Sequence, residues 1–359
     1  MPGHPSSKRS PIVLGDGRTI SFVEPIGKGT TGEVHRAVLE SAWGLRRPVA
    51  IKILDVAPDD EPDEIMRRVR RIARRAVCVR HPSVVEVIDI DRVGPRPFIV
   101  TELVEGESLA SIVATWRDVG LRTPVDFALV VALRVAEALG AALFTDDTDG
   151  ALTMLPHGDL SPSQVLVSNR GDVKVGDFGQ ATLRTPSSQV RSRHRMAYTA
   201  PEVAHGLEPD ARADVFSLGV ILHEMLVGPR FAHGTPPADM MKMVRTGALH
   251  QTILEPNLPR EVRKIVARAT MSRPGFRYPH ARALAFDLRR EAMRLGLCDT
   301  QTSIRHAVVG WCEVRPANDS GAPPARASDV VPKMDGGDTD PDFGGYDEDS
   351  FDPPLSSNG

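Results

Sequence analysis

Cysteines, long apolar runs and internal repeats are scarce or missing in this 359-residue chain. The three cysteines, Cys78, Cys298 and Cys312, are far apart and odd in number. They make neither a disulfide framework nor a metal-ligand pair, which fits a reducing cytoplasm. No run reaches the roughly 18–20 uncharged apolar residues that a bilayer span requires. The richest stretch, FALVVALRVAEALGAALF over 127–144, carries Arg134 and Glu137 and reads as a buried helix of a soluble protein. The N-terminal MPGHPSSKRSP lacks the apolar stretch of a signal peptide. Nothing repeats with a period of about 20–50 residues, which excludes solenoids and propellers. Strong net charge is also absent at a formal −3, but the charge is unevenly spread. Residues 316–359 hold ten acids and two bases, a net of −8, which leaves +5 for the first 315.

A hydrophobic content of 41% supports a sizeable core in one large domain or two lobes. Residues 1–17, rich in Pro, Gly and Ser, are expected to be disordered. From Thr19 to Asp55, β-prone runs alternate with turns, including a hairpin around Trp43 and Gly44. Pro62 to Val79 is helical, with Ile65, Val69, Ile72, Ala73 and Ala76 on one face. Two more strands, VVEVIDI and PFIVTELV, precede a change of character at Glu105-Gly106. Beyond it the periodicity predicts helices over 108–117, 125–143, 211–227, 237–246, 259–269 and 279–295, interrupted by a hairpin at 164–175. The pattern is α+β and bilobal, a small β-rich lobe over 18–105 and a larger helical lobe over 106–296. A short extension over 297–315 leads to an acidic tail, 316–359, too polar to fold alone.

GKGTTGEV, residues 27–34, sets Gly27, Gly29 and Gly32 on a turn between strands, where backbone amides can approach phosphate without Cβ interference. Glycine-rich turns are common, so this signal is weak alone, and the lack of a following helix argues against dinucleotide binding. VAIK, residues 49–52, follows on the next strand and brings Lys52 within reach of phosphate oxygens, unless it is simply an exposed strand lysine. In GDFGQA, residues 176–181, the carboxylate of Asp177 suits a Mg²⁺ ligand with a glycine hinge behind it. YTAPE (198–202) and DVFSLGVILHEMLVG (214–228) follow, and Arg277 in RPGFRYP is a candidate buried partner for Glu202.

With HGD at 157–159, these six ordered motifs resemble the protein kinase family over residues 19–295, in its bacterial Ser/Thr (eukaryotic-like) form. The resemblance implies the bilobal kinase fold, ATP and Mg²⁺ as cofactors and protein hydroxyls as acceptors. Carried over by position, Gly27, Gly29 and Gly32 would cover the phosphates and Lys52 would pair with them. Asp159 would be the catalytic base, and Asp177 and Gln164 would hold metal. Ile26, Val34, Ala50 and Leu166 would line the adenine pocket, with the backbone of Glu102 and Val104 at the hinge and Thr101 as a small gatekeeper.

Five positions depart from that pattern. Ile72 stands where a helix glutamate should hold Lys52, and Glu64 lies two turns away, about 12 Å along the axis. Gly158 replaces an arginine that reads a phosphorylated loop. Ser161 replaces a γ-phosphate lysine, and Arg195 replaces the threonine bonded to that lysine. Gln164 replaces the second metal's asparagine, and its extra methylene shifts the amide by more than about an ångström, which Mg²⁺ geometry tolerates poorly. The expectation is an ATP-binding domain with phosphotransfer weak or lost, a pseudokinase. An active Ser/Thr kinase, a small-molecule phosphotransferase (HGDLSP resembles the aminoglycoside and choline phosphotransferases) and a nucleotide-indifferent adaptor stay open.

RRVRRIARRAVCVR, residues 67–80, reads first as a solvated helix face. Without interleaved aromatics and with a modest body charge, nucleic acid is not an expected partner, nor is a membrane. The eight acids of Asp335–Asp352 make an intramolecular contact with this face, or a docking partner, the sharper expectations. Thr182, Thr185, Ser187, Ser188 and Ser192 are candidate phosphorylation sites by composition, with Arg184, Arg191, Arg193 and Arg195 nearby.

Overall fold

The computed structural model describes residues 10–29, 31–56, 61–143, 145–146, 152–153, 155–183, 193–249, 258–297 and 300–314. The acidic tail and four of the candidate phosphorylation sites (Thr185, Ser187, Ser188 and Ser192) lie outside them.

The N-terminal lobe is a six-stranded sheet in the order β1-β2-β3-β4-β6-β5. Its strands are β1 (Ile12–Val13), β2 (Thr19–Gly29), β3 (Gly32–Glu40), β4 (Arg46–Leu54), β5 (Val87–Val93) and β6 (Arg96–Glu102), all paired antiparallel. Alternation along β3 and β4 turns Ala37, Leu39, Val49, Ile51 and Ile53 inward onto Ile20, Phe98 and Val100. The lobe begins before Arg18, unlike the boundary expected from composition. Ile12 pairs with Ile20 and packs, partly buried, against the sheet core, in which Leu14 is buried, so these apolar contacts outweigh the flanking Gly and Ser.

Helix α1 (Pro62–Ala76) packs under the sheet. Its buried residues Ile65, Met66, Val69, Ile72 and Ala73 form the expected stripe, with Ile65 and Val69 against Leu54 and Ile99. Arg70, Arg71, Arg74 and Arg75 are exposed on the opposite face. Arg67 and Arg68 pair with Glu64 on the same helix.

The chain crosses to the second lobe at β7 (Gly106–Ser108), which pairs with β10 (Val165–Ser168) across a sheet completed by β11 (Val173–Val175). A Cβ on Gly106 would fall 2.0 Å from the Val167 carbonyl oxygen, so only glycine admits this crossing. A two-stranded ribbon, β8 (Thr145–Asp146) and β9 (Leu152–Thr153), precedes the catalytic-type loop.

The helices are α2 (Leu109–Asp118), α3 (Val125–Leu143), α4 (Arg193–Met196), α5 (Pro201–Ala204), α6 (Ala211–Leu226), α7 (Pro237–Thr246), α8 (Arg260–Ala269), α9 (Ala281–Arg294) and α10 (Thr300–Val314). Apolar on almost every side, α3 is buried along its length, as the 127–144 run predicts. Helix α6, also buried, packs against it. No helix among the described residues is long and apolar enough to cross a membrane.

Helix α10 lies in the short extension expected over 297–315, for which the sequence analysis names no element. Ile304, Val308 and Trp311 enter the main core, and Gln301 donates from Nε2 to the Arg170 carbonyl and Asp172 at 3.3 Å each. The apolar spacing 304–308–311 is helical, but too short to be distinctive without α2 and α3 to cover.

Candidate active site

The β2–β3 hairpin forms the roof of the cleft. Gly27 pairs with Val34 and Gly29 with Gly32 across it. Gly32, at φ 150°, is held to glycine by packing as much as by any ligand: an added Cβ would lie 1.9 Å from the Ile53 carbonyl oxygen. Below lies a cavity of about 600 Å³. Ile26, Val34, Ala50 and Leu166 all line it, as do Thr101 and the Glu102–Val104 crossing. Glu102 is fixed there by Lys174 Nζ at 2.7 Å and by the Glu86 amide at 2.9 Å, both donating to its Oε1.

At the inner end of the cavity stand Lys52 and Asp177. Lys52 Nζ donates to Asp177 Oδ2 at 2.7 Å and to Gln180 Oε1 at 2.6 Å. Lys52 is only 8% exposed, so these contacts replace the water it loses. Asp177 alone among the described non-glycine residues has a positive φ, 61°. Aspartate tolerates this region better than most residues, and such strain clusters at functional sites. Ile72 is buried and lines the cavity without reaching Lys52 electrostatically; its Cγ2 lies 3.3 Å from where a Cβ on Gly179 would stand. Glu64 is engaged with Arg67 and Arg68 instead. Gln180, which stands inside the GDFGQA motif, is the partner that motif reading missed.

The loop at 157–164 is held from below. His157 and Gly158 donate their backbone N–H groups to the two oxygens of Asp214, at 2.7 and 2.8 Å. Burial pushes the Asp214 carboxyl up, against the pull of His157 and these two amides. His157 Nε2 donates to the Gly176 carbonyl at 2.9 Å, and its ring lies 5.0 Å from that of Phe178, which ties this loop to Asp177. Asp214 sits in the quoted DVFSLG run, but its role as a loop anchor depends on the fold.

Asp159, placed at the base position, receives two bonds at Oδ1 from Arg195, Nε at 3.0 Å and Nη2 at 2.7 Å. Gln164 Nε2 donates to Asp159 Oδ2 at 3.5 Å. The Gln164 Oε1 accepts from the Ser161 amide at 2.7 Å and the Ser161 hydroxyl at 3.0 Å, and the Ser161 and Ser163 hydroxyls are 2.8 Å apart. Three of the five departures, Ser161, Gln164 and Arg195, are thus bonded into one network around Asp159. Burial raises the Asp159 carboxyl above the usual range, with Arg195 and His157 pulling the other way.

The cavity lining and the paired Lys52 and Asp177 are the residue types that a nucleoside triphosphate would need. Metal is more restricted: no group of three or more His, Cys, Asp or Glu suited to an ion occurs among the described residues. Asp177 with phosphate oxygens could complete one Mg²⁺ shell, since Mg²⁺ commonly takes one or two carboxylates plus phosphates and water. The Gln164 oxygen, committed to Ser161, would have to leave both bonds to join it.

The segment beyond is braced by a buried ion pair. Arg277 meets both oxygens of Glu202, at 2.6 and 2.7 Å, and donates to the Met271, Ser272 and Arg212 carbonyls. This is the pairing expected from the sequence.

Residues 20–287 match the model of the protein tyrosine and serine/threonine kinase family. The serine/threonine-protein kinase PknB of Mycobacterium tuberculosis is 31% identical over 336 residues, 89% of this chain and 49% of PknB. The tyrosine-protein kinase MasK of Myxococcus xanthus is 31% identical over 272 residues, 74% of this chain and 41% of MasK. This chain thus spans less than half the length of these relatives. The crystal structure of the Mycobacterium tuberculosis PknI kinase domain (C20A_R136N double mutant) superposes with a TM-score of 0.58 at 24% identity, covering 80% of this chain and all of that one, a likeness of fold. Motif order, cleft geometry and family match agree: the chain belongs to the protein tyrosine and serine/threonine kinase family, with bacterial Ser/Thr kinases among its relatives.

Proposed function

We propose that the chain is a cytoplasmic ATP-binding Ser/Thr protein kinase domain that transfers phosphate slowly and acts in signalling through a protein partner. The observation that carries this reading is the network closed on Asp159 by Arg195, Gln164 and Ser161. A base needs its carboxylate electron pairs for the acceptor hydroxyl's proton. Here a guanidinium engages one oxygen with two bonds, which occupies electron pairs that would otherwise take that proton. Ser161, bonded to Gln164 and Ser163, brings no positive charge of its own to a phosphate whose charge would move. A missing electrostatic contact of this kind costs about 2–4 kcal/mol of transition-state stabilisation, or about one and a half to three powers of ten in rate.

Nucleotide binding needs fewer parts, and these are assembled. The walls of the cavity suit a base, Lys52 suits phosphate oxygens, and Asp177 suits a metal riding on them. ATP with Mg²⁺ would supply the transferable phosphoryl group and offset part of its charge. The Lys52–Asp177 contact and the presence of Asp159 also favour a second reading, an active Ser/Thr kinase with relocated contacts.

Thermal shift with ATP, with and without Mg²⁺, run beside an autophosphorylation assay, separates the two. A large shift with little transfer is expected. Fast transfer abolished by Asp159→Asn would establish the second reading, and no shift would leave a nucleotide-indifferent adaptor.

A further inference from the structure

We infer that Gln180 is the positioning residue for Lys52, supplied by the segment after Asp177-Phe178-Gly179 rather than by helix α1. This rests on the nucleotide-binding reading above and deepens it. A buried ammonium that is to meet phosphates needs a second fixed acceptor besides Asp177, whose carboxylate is also the candidate metal ligand. Gln180 Oε1, at 2.6 Å from Lys52 Nζ and itself buried, is that acceptor.

The placement of Gln180 has a packing cause. It opens a single 3-10 turn, Gln180–Leu183, bonded back through its own amide to the Asp177 carbonyl at 3.2 Å. At the far end of the turn, Leu183 packs against the cluster formed by Leu54, Ile65, Val69 and Ile99, between α1 and the sheet. At the near end, Ile72 of α1 meets Gly179, and Leu155 lies beside the same glycine. The apolar stripe of α1 therefore grips the turn at two points, and the turn delivers Gln180 to Lys52. Ile72 fits this arrangement because the helix acts here through apolar contact.

Two consequences follow. A neutral amide positions Lys52 without cancelling its charge, which leaves more of that charge for phosphate oxygens. The lysine is also tied to the Gln180–Leu183 turn, so nucleotide contact and the placement of that turn share one hydrogen bond.

Calorimetric titration of the full chain with MgATP and with adenosine tests the role, because only MgATP has phosphates for Lys52 to meet. Gln180→Leu, nearly isosteric but without an acceptor, should weaken MgATP about tenfold or more, the scale of one hydrogen bond to a charged group. Adenosine affinity should be unchanged and will report that the pocket is folded. Gln180→Glu should retain MgATP binding. Lys52→Ala combined with Gln180→Leu should bind no more weakly than Lys52→Ala alone, since both remove one contact. Unchanged MgATP affinity in Gln180→Leu, a parallel loss of adenosine, or additive losses in the double variant would each overturn the assignment. A wild-type chain that binds adenosine and MgATP equally would overturn it too. Failure to bind either ligand would instead defeat the nucleotide-binding reading on which it rests.

Discussion

At Asp159 a guanidinium sits where the family pattern has a threonine, and at Ser161 a hydroxyl where it has a lysine. The charge that the family pattern has at position 161 is missing, and a cation, Arg195, is bonded to Asp159 instead. Reversing the exchange should therefore raise the rate. Ser161→Lys together with Arg195→Thr is expected to increase phosphotransfer about tenfold or more in a single-turnover assay, by one restored electrostatic contact. Neither substitution alone should do as well, because each leaves half of the exchange in place. The same pair sets a pH dependence. Burial holds the Asp159 carboxyl above the ordinary range and Arg195 opposes it. A base acts only when ionised, so transfer should fail on acidification at a higher pH than an ordinary aspartate would give. Arg195→Thr removes the opposing pull and should move that acid limb higher still, which a pH–rate profile will show.

Lys52, Asp159 and Asp177 were legible because their motifs are local strings in a fixed order. The partner of Lys52 was not, since Gln180 is 128 positions away and nothing in its neighbourhood marks it as a ligand of a lysine. The cation at Arg195 was legible as a substitution but not as a contact, because sequence shows what is missing from a site before it shows what has moved in.

Among the elements, periodicity placed α1, α3, α6, α7, α8 and α9 to within a few residues, since each carries an apolar stripe long enough to be read. Helix α10 escaped because its burial comes from α2 and α3, elements far upstream in the sequence. Its side chains Ile304, Val308 and Trp311 are almost wholly buried. At about 1.5–3 kcal/mol for each large apolar side chain, ending the chain after Leu297 should lower Tm by about 10 °C or more. Scanning calorimetry of the chain ended after Leu297 against one ended after Val314 checks this. An unchanged Tm would make the helix a passenger on the second lobe.

For the whole molecule, the two lobes meet along a cleft that holds binding parts and transfer parts in different states. The parts proposed for binding, Lys52 paired with Asp177 and the walls from Ile26 to Leu166, line one cavity. The transfer parts are bonded to one another around Asp159. Rapid-mixing single-turnover transfer of the γ-phosphoryl group, with protein in excess of MgATP, measures the second against the first. The expected result is saturable MgATP binding with transfer at least about a hundredfold below the 1–100 per second usual for kinases. Transfer within that usual range, lost on Asp159→Asn, would contradict the account.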